Sequence, residues 1–568
     1  MLSCCAMWGG ALVVLAGRAV YGTEEETPSG GAEPEPVLIR GSEPMHIALL
    51  ANTTRHLGVD TGSEAVGVLV RAHTLSPNVS ISRTQAFPPQ SSYTGTSAGL
   101  WIPLRPSDRQ ADFCLRASEN VTALVTAVLY GEQDPVPGAC NMEFRMEDDP
   151  NIHLRFTTHE TVTEFAPANL GVARGQPPPS CDTGQGTHTR WRLTYELYQY
   201  FLPEGDLSEA SLFDGLAKMN SVREVEQNGR KVASLTSLDK TRVLGNAYAG
   251  IGVVFCVIVR DPLLNTSSLY VPASTYSCHF SSRPPQSCQI QGQTATRVFF
   301  TVLGVCGLFV CFMGHRFLTA ESFFLGFLTF GFVAFAVLGR FSGQSYEMCL
   351  VYTAVLAVVG GGLCALCWWR FGAPIPLTVL AGLALGLVLA AGIALSPVVN
   401  EPPLRSYLLF WVCVTGFSVL LTLLLLSWPR TLIILSGAVV GSYMAVFMLG
   451  TFLPSGLSYV LVSAVRRAVS PPFSQAIVFV PFQTRDFVLT TLWAVLAVGG
   501  AVSQHFLTRD KPHFPPCPYR SRSSQTPSAP QVCDERTPLR GRGVQVCDHT
   551  GLGRSAWCCG AALPSGGD

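Results

Sequence analysis

The sequence predicts a multi-domain membrane protein, in which a β-rich ectodomain with sandwich or jelly-roll-like sheets precedes an all-α bundle of seven transmembrane helices. The first observation is composition. Of the 568 residues, 48% are hydrophobic and 13% are charged, whereas an ordinary soluble domain has about 25% charged residues. The second is an uneven distribution, because residues 23–296 are polar and rich in turn residues while residues 297–507 consist mostly of apolar runs.

Residues 1–22 have the pattern of a secretory signal peptide. The apolar core MWGGALVVLAG is followed by Val20 and Gly22 at positions −3 and −1 of a cleavage site. This core is too short to cross a bilayer comfortably. We therefore expect residues 23–296 to lie in the lumen or outside the cell.

Four glycosylation motifs agree with this placement. Each has the N-x-[ST] pattern, and all four precede the first long apolar run. The predicted glycosylation sites are Asn52, Asn78, Asn120 and Asn265.

Short β-strands are predicted through the ectodomain. Segments such as GVLVRAH, TALVTAVLY and GVVFCVIVR place β-branched and apolar residues between turn signals. The span is long for one sandwich, so we expect two β-rich domains at residues 23–150 and 151–296. The second includes one predicted helix, with Asp206 as its N-cap.

Cysteines in an oxidising compartment are expected to form disulfides. Cys256 is uncertain because it lies inside the apolar run VVFCVIV, where a free core thiol is the alternative. Cys278 and Cys288 are close in sequence and are the favoured pair. The disulfide candidates are Cys114, Cys140, Cys181, Cys278 and Cys288.

Seven apolar runs are long enough to cross a membrane as helices. Their predicted bounds are 297–314, 321–339, 348–369, 374–396, 407–428, 431–453 and 486–506. An outer N-terminus and seven crossings place residues 508–568 in the cytosol as a disordered tail. The apolar segment 456–480 is not counted, because Arg466 and Arg467 would lie at mid-bilayer; it is predicted to be an amphipathic helix at the outer interface.

No catalytic, cofactor-binding or metal-binding residues are predicted. Glu321, Glu347 and Asp486 sit at predicted helix starts, where acids suit the helix dipole. The bundle interior is therefore expected to hold almost no ionisable group, which argues against a proton-coupled transporter. A formal net charge of zero gives no electrostatic argument for nucleic-acid binding, and none is predicted.

Glycine pairs in the bundle indicate close helix packing. Two GxxxG motifs predict that helix backbones approach each other, either inside one bundle or in a homo-oligomer. The stretch VVGGGLCALCWWRFG (358–372) lacks the spacing of a phosphate loop or a paired metal site, and is interpreted as the end of the third helix. The GxxxG pairs are Gly382 with Gly386 and Gly437 with Gly441.

Several segments resemble the transmembrane 7 superfamily member 3 family. They include DPVPGACNMEF (134–144), RWRLTYELYQYFLPEGDL (190–207), CWWRFG (367–372) and VPFQTRDF (480–487). The helical half is also similar to the domain shared with transmembrane protein 198. The resemblance implies a non-enzymatic membrane glycoprotein of the plasma membrane or secretory pathway. It further implies a role in cell survival, in damping endoplasmic-reticulum stress and the unfolded-protein response, and in protecting insulin-secreting β-cells.

Two other classes remain open. One is an orphan seven-helix receptor, although the third helix ends in CWWRFG rather than in a D/E-R-Y triplet. The other is a channel, transporter or lipid-handling protein. The expected partners are membrane lipids, protein partners of unknown identity and a second copy of the chain.

Overall fold

The computed structural model describes most of the two β domains and of the helical region. The described residues are 37–41, 43–89, 91–138, 149–157, 160–179, 191–236, 239, 241–278, 294–343, 345–395, 406–453, 455–470, 476–479, 482–510, 514 and 519. The predicted signal peptide, most of the predicted tail and three disulfide candidates (Cys140, Cys181 and Cys288) lie outside them.

The first β domain is a sandwich of two sheets. One sheet has the strand order β1-β3-β8-β5-β6 and the other has the order β2-β9-β4-β7. Alternate side chains of both sheets enclose one core, in which Leu57, Val70 and Leu115 are completely buried. The strands are β1 (Val37–Arg40), β2 (Met45–Leu49), β3 (Thr54–Asp60), β4 (Ala65–His73), β5 (Val79–Ser82), β6 (Ser92–Gly95), β7 (Ser97–Pro103), β8 (Gln110–Ala117) and β9 (Val121–Gly131).

The second β domain contains ten short strands and two helices among its described residues. Its strands are β10 (Val136–Pro137), β11 (His153–Phe156), β12 (Glu160–Glu164), β13 (Ala168–Asn169), β14 (Thr194–Phe201), β15 (Arg230–Thr236), β16 (Arg242–Asn246), β17 (Val253–Asp261), β18 (Thr266–Leu269) and β19 (Ala273–Thr275), and its helices are α1 (Glu209–Ala217) and α2 (Val222–Asn228). The sheets have the orders β11-β12-β16 and β15-β14-β17-β18, with β19 also on β17. Because β10 pairs with β13, this domain begins before residue 136 rather than at residue 151.

The first helix of the second domain begins differently from the prediction. Ser208 is its N-cap, and the Ser208 hydroxyl accepts a hydrogen bond from the backbone N–H of Ser211 at 3.2 Å. The Asp206 carboxylate instead accepts from the backbone N–H of Ser208 at 3.0 Å, in the turn that precedes the helix. The predicted cap at Asp206 is wrong by two residues, because serine and aspartate are both good caps and sequence alone does not choose between them.

Seven long helices and one short helix form the described part of the bundle. They are α3 (Thr294–Met313), α4 (Leu318–Phe341), α5 (Tyr346–Phe371), α6 (Pro374–Ala394), α7 (Tyr407–Leu425), α8 (Pro429–Gly450), the short α9 (Gly456–Val469) and α10 (Thr484–Thr508). By length and hydropathy, six helical segments in the described residues can cross a membrane. The first of these, Thr296–Phe341, has 46 residues and contains both α3 and α4, joined by the 3-10 turn Gly314–Phe317.

Contacts at its two ends indicate that this long segment folds back on itself. The Thr296 hydroxyl donates to the Tyr346 hydroxyl at 3.4 Å, so the start of α3 lies beside the residues that follow α4. A side chain at Gly339, near the end of α4, would contact Val469 at the end of α9. We call this end of the bundle, next to the second β domain, the domain end. The opposite end, where Arg430 donates to the Thr508 carbonyl, is the far end.

Glycines allow the helices of the bundle to approach closely. A Cβ atom at Gly386 would lie 2.5 Å from the Ser418 backbone on α7, and one at Gly382 would lie 2.7 Å from Thr422. Gly441 faces the Gly307 backbone of α3 in the same way. Both predicted GxxxG motifs therefore pack against neighbouring helices of their own chain.

The stretch 358–372 ends α5, as the sequence predicted. A Cβ atom at Gly361 would lie 2.7 Å from the Phe323 carbonyl oxygen of α4, whereas one at Gly362 would contact nothing within 4 Å. The helix stops at Gly372, whose φ of 59° suits a glycine C-cap. Cys364 and Cys367 are free thiols, so this stretch serves helix packing and termination.

Candidate functional site at the junction of the second β domain and the bundle

One hydrophobic core passes from the second β domain into the domain end of the bundle. Tyr195 and Val257 belong to its β side, and Phe410 and Val446 belong to its helical side. Tyr459 of α9 connects the two, because its ring lies 5.0 Å from that of Tyr248 in the second β domain in an edge-to-face arrangement. Continuous apolar packing of this kind makes independent motion of the two parts costly.

Helix α9 lies under the second β domain and is buried on its polar face. Asn246 at the end of β16 donates from Nδ2 to the Ser463 hydroxyl at 3.2 Å, and Arg466 donates to Asn246 Oδ1. The prediction that this segment does not cross the membrane agrees with its 14 residues. It is packed between protein elements rather than lying free on an interface, because the β domain supplies partners for its polar side chains.

Arg467 is the most enclosed charged side chain of α9 among the described residues, with 4% of its surface exposed. Its guanidinium group lies 4.5 Å from the centre of the Phe410 ring, in a cation–π contact. It also faces the Ala476 carbonyl oxygen at 3.4 Å. Burial lowers the pKa of Arg467 to about 10, so the group remains protonated at neutral pH and keeps α9 beside α7.

Residues 476–479 extend the edge of the small β11-β12-β16 sheet. The Ile477 N–H donates to the Leu244 carbonyl at 2.8 Å, and Ile477 forms a parallel bridge with Gly245. Tyr248 donates from its hydroxyl to the Phe479 carbonyl. The Arg230 guanidinium lies 3.8 Å from the centre of the Phe479 ring. The chain that leads into α10 is thereby held by backbone pairing and by aromatic contacts.

Gln483 holds the loop after β14 with two hydrogen bonds. Its Nε2 donates to the Leu202 carbonyl at 2.8 Å, and its Oε1 accepts from the Glu204 N–H at 2.9 Å. The amide therefore serves a backbone acceptor and a backbone donor at once, as a neighbouring strand would.

Asp486 stabilises the starts of two helices. Its Oδ2 accepts from the Gln483 N–H at 3.1 Å and completes the capping box of α10. Its Oδ1 accepts from the Leu457 N–H at 2.9 Å, at the start of α9. The prediction that Asp486 sits at a helix start is confirmed, and the structure adds the second helix. A completely buried carboxylate is favoured here because two N-termini supply donors and positive dipole ends.

The Glu204 carboxyl group lies beside Asp486 at the β side of the junction. Burial and the nearby Asp486 carboxyl group raise the pKa of Glu204 to about 8, and the opposing attraction of Arg485 does not cancel these effects. Gly205 has a φ of 73°, and a side chain there would meet the Arg485 guanidinium. Glu204 is therefore expected to titrate near pH 8 at the contact between the β domain and α10.

Replacing Glu204 with glutamine is expected to remove a pH dependence of this junction. A carboxyl group whose folded pKa is raised to about 8 stabilises the folded state fully below its unfolded pKa, and this stabilisation is lost as pH rises through 8. Between about pH 6 and pH 8.5 the wild type should lose on the order of 1–2 kcal/mol of stability, after allowance for partial exposure. Thermal unfolding at both pH values measures this. Equal pH dependence in wild type and Glu204→Gln would contradict the assignment.

The predicted glycosylation sites are all exposed in the structure. Asn52 and Asn265 lie at positive-φ turn positions, with φ of 58° and 54°. The side-chain oxygen of Asn120 accepts from the Ala51 N–H at 2.7 Å. Their exposure is compatible with modification, and glycosylation at Asn52, Asn78, Asn120 and Asn265 stays a prediction.

Of the ectodomain cysteines that the structure describes, one is in a disulfide and two are free thiols. Cys278 is disulfide-bonded. Cys114 is a free thiol whose Sγ lies 3.5 Å from His56 Nδ1, so the prediction of a disulfide there is wrong. Cys256 is a buried free thiol, as the alternative interpretation held, and its Sγ faces the Tyr270 carbonyl at 3.2 Å. Cys256 is completely buried in the middle of β17, in a core cluster that also contains Met219 and Tyr276.

The polar groups of the junction hold the second β domain and the bundle together. Within the described ranges, no group of three or more His, Cys, Asp or Glu side chains is arranged to hold a metal ion. The polar groups of the junction are used to join two parts of the chain that are far apart in sequence; Glu204 and Gln483, for example, are separated by 279 positions. No local sequence pattern identifies such pairs. The two residues do lie in segments that resemble family motifs, Glu204 in residues 190–207 and Gln483 in residues 480–487.

Three family profiles match the chain. The profile described as TM7SF3-like, N-terminal immunoglobulin-like domain matches residues 38–130, and the one described as TM7SF3-like, second immunoglobulin-like domain matches residues 135–281. The profile described as TM7S3/TM198-like domain matches residues 300–505. These matches follow the two β domains and the bundle, and they agree with a domain boundary before residue 136.

Curated relatives cover most of the chain. The transmembrane 7 superfamily member 3 protein of Rattus norvegicus is 40% identical over 81% of this chain and 81% of its own length. The protein of the same name from Homo sapiens is 39% identical over 81% of both chains, and that from Mus musculus is 38% identical over 90% of this chain and 91% of its own. With several apolar helices long enough to cross a bilayer, this chain is a membrane protein, and it belongs to the transmembrane 7 superfamily member 3 family.

Proposed function

We propose that this protein is a non-enzymatic membrane glycoprotein that limits endoplasmic-reticulum stress and supports the survival of secretory cells such as insulin-producing β-cells. Its N-terminal β domains face the lumen or the cell exterior, and its C-terminal tail faces the cytosol. It acts by binding other proteins through its β domains, while the bundle anchors them. Family resemblance supports the physiological role, and the structure supports the mode of action.

The observation that carries the mode of action is the continuous core at the junction. A β domain on a flexible tether could not transmit a binding event to the helices, whereas a domain whose core continues through Tyr248 and Tyr459 into the bundle can. Binding at the β domains would thus bias the packing at the domain end of the bundle. A catalytic role has no comparable support among the described residues.

Cells that lack the protein provide the test. After thapsigargin treatment, we expect them to show a stronger unfolded-protein response and lower survival than cells re-expressing the wild type. Gln483→Ala removes the two hydrogen bonds of about 1 kcal/mol each that join the junction, together with the N-cap bond that the Gln483 side chain accepts from the Asp486 N–H, and it should rescue less at equal membrane abundance. Gln85→Ala removes a hydrogen bond between Gln85 and His56 in the first β domain and leaves the junction unchanged, so it is the matched control, with full rescue expected.

Two results would overturn parts of this proposal. An equal stress response with and without the protein would remove the proposed role. Full rescue by Gln483→Ala would remove the link between the junction and that role, while leaving the role intact. Ligand-dependent recruitment of a G protein would instead favour the receptor class.

A further inference from the structure

A carboxylic acid is enclosed in the bundle near its far end. Glu321 lies one turn into α4 and is completely buried, with 0% of its surface exposed. Neither of its carboxyl oxygens has a hydrogen-bond partner among the described residues. The prediction that Glu321 sits at a helix start is confirmed, but the tight turn Gly314–Phe317 lets α4 begin at Leu318 and carries Glu321 into the interior of the bundle.

Two glycines from other parts of the bundle make room for this side chain. A Cβ atom at Gly437 of α8 would lie 2.5 Å from Glu321 Oε1, and a Cβ atom at Gly314 would lie 3.1 Å from Glu321 Oε2. Gly437 belongs to the GxxxG motif whose other glycine, Gly441, packs against the backbone of α3, whereas Gly437 itself makes room for a carboxyl group. The site therefore depends on two positions that carry no side chain.

Gln504 of α10 forms the polar wall next to Glu321. The Gln504 Nε2 donates to the carbonyls of Cys311 at 2.7 Å and Val310 at 3.2 Å, and its Oε1 accepts from the His315 N–H at 2.8 Å. The same Nε2 lies 3.6 Å from the Cβ position of Gly437. Both Nε2 protons of Gln504 are thus donated to α3 carbonyls, and Gln504 is not available as a donor to a carboxylate.

We propose that Glu321 is a proton-binding site that holds an exchangeable proton inside the bundle. An ionised carboxylate without donors in an apolar surrounding carries a large desolvation penalty, whereas the neutral acid avoids it. Glu321 has no ion pair among the described residues. Loss of the proton would place a bare charge between α4, α8 and α10, so proton exchange is linked to loosening of their packing.

The oxygen atoms at the site favour a proton over a metal cation. A bound cation needs several oxygen ligands arranged around it. Here the nearby carbonyls of Val310 and Cys311 already accept from Gln504, and the two Glu321 oxygens would have to serve almost alone. A proton needs a single oxygen.

In the part of the chain that the structure describes, few other titratable groups lie at the far end of the elements around Glu321. The 3-10 turn carries the buried His315 and the exposed Arg316, and α10 carries the exposed His505. On α3, the Cys311 thiol faces the Leu496 carbonyl. At the start of α8, Arg430 donates to Thr508. None of them forms an ion pair with Glu321 in the described structure.

Dicyclohexylcarbodiimide tests the proposal, because this apolar reagent modifies protonated carboxyl groups inside membrane proteins. The full-length protein in lipid nanodiscs is treated with the reagent over a range of pH, and modified peptides are identified by mass spectrometry. We expect modification at Glu321 that declines as pH rises. Glu347 is the internal control, because it occupies the first turn of α5 but is exposed, and it should remain unmodified.

A second measurement is needed in case dicyclohexylcarbodiimide does not reach the buried Glu321 carboxyl group. The infrared spectrum of the wild type should contain a carboxylic-acid carbonyl band that Glu321→Gln lacks, while the variant keeps the thermal stability of the wild type. Absence of both the modification and the band would overturn the proposal. Protection of Glu321 from dicyclohexylcarbodiimide by sodium at constant pH would also overturn the proposal, since this result would assign the site to a metal cation.

Discussion

Replacement of Tyr459 with alanine is expected to lower the free energy of unfolding by about 3–5 kcal/mol, the usual cost of deleting a buried aromatic ring. Tyr459 has 1% of its surface exposed and fills the space between α9 and the second β domain. Its ring lies 5.0 Å from Tyr248, and the Arg466 guanidinium lies 6.0 Å from its centre. The cavity would therefore open where the two parts of the core meet.

Thermal unfolding in nanodiscs measures this effect. A loss of this size should lower the transition of the second β domain and bundle by on the order of 10 °C. Tyr459→Phe keeps the ring and is the control, with a change of less than about 1.5 kcal/mol expected for a substitution that conserves volume. A similarly small change in Tyr459→Ala would show that the ring is not needed at the junction.

Gly500→Ala is expected to destabilise the bundle by about 1–3 kcal/mol, the usual cost of overpacking a filled interior. A Cβ atom at this position would lie 2.5 Å from both the carbonyl oxygen and the Sγ of Cys311 on α3. The carbonyl is backbone and cannot rotate away, so α10 and α3 would have to separate. This movement would also strain the hydrogen bond from Gln504 to the Cys311 carbonyl.

The neighbouring glycine supplies the control for this substitution. A Cβ atom at Gly499 would contact nothing within 4 Å, and the residue is exposed. Gly499→Ala should therefore be neutral or stabilising by up to about 1 kcal/mol, because alanine favours a helix over glycine. Equal melting temperatures for the two variants would contradict the close packing of α10 on α3.

The positions of the long helices were predictable because apolar runs end at charges, prolines and glycines. The run predicted at 348–369 is the helix Tyr346–Phe371, and the run predicted at 374–396 is the helix Pro374–Ala394. The strands of the first β domain were predictable from apolar segments such as GVLVRAH, which forms part of β4, although both faces of β4 are buried and its burial does not alternate.

The candidate site was predictable only in part, because it depends on contacts between distant residues. Arg466 and Arg467 indicated that the segment 456–480 does not cross the membrane, but nothing near them identifies Asn246 or Phe410 as their partners. Glu321 lies in the first turn of α4, as predicted, but its burial was not predictable, because the tight 3-10 turn before it carries it into the bundle. In both cases long-range packing decided the environment of a charged group, and sequence periodicity carries no information about such packing.

Hydrogen exchange at the junction tests most directly whether the second β domain and the bundle form one packed body. The amides of β16, α9 and Ile477, which donates to the Leu244 carbonyl, should be protected together in the wild-type protein in nanodiscs. Tyr459→Ala should accelerate exchange in all three together and leave β9 of the first β domain unchanged. Faster exchange in α9 alone, with β16 and Ile477 as protected as in the wild type, would contradict the account.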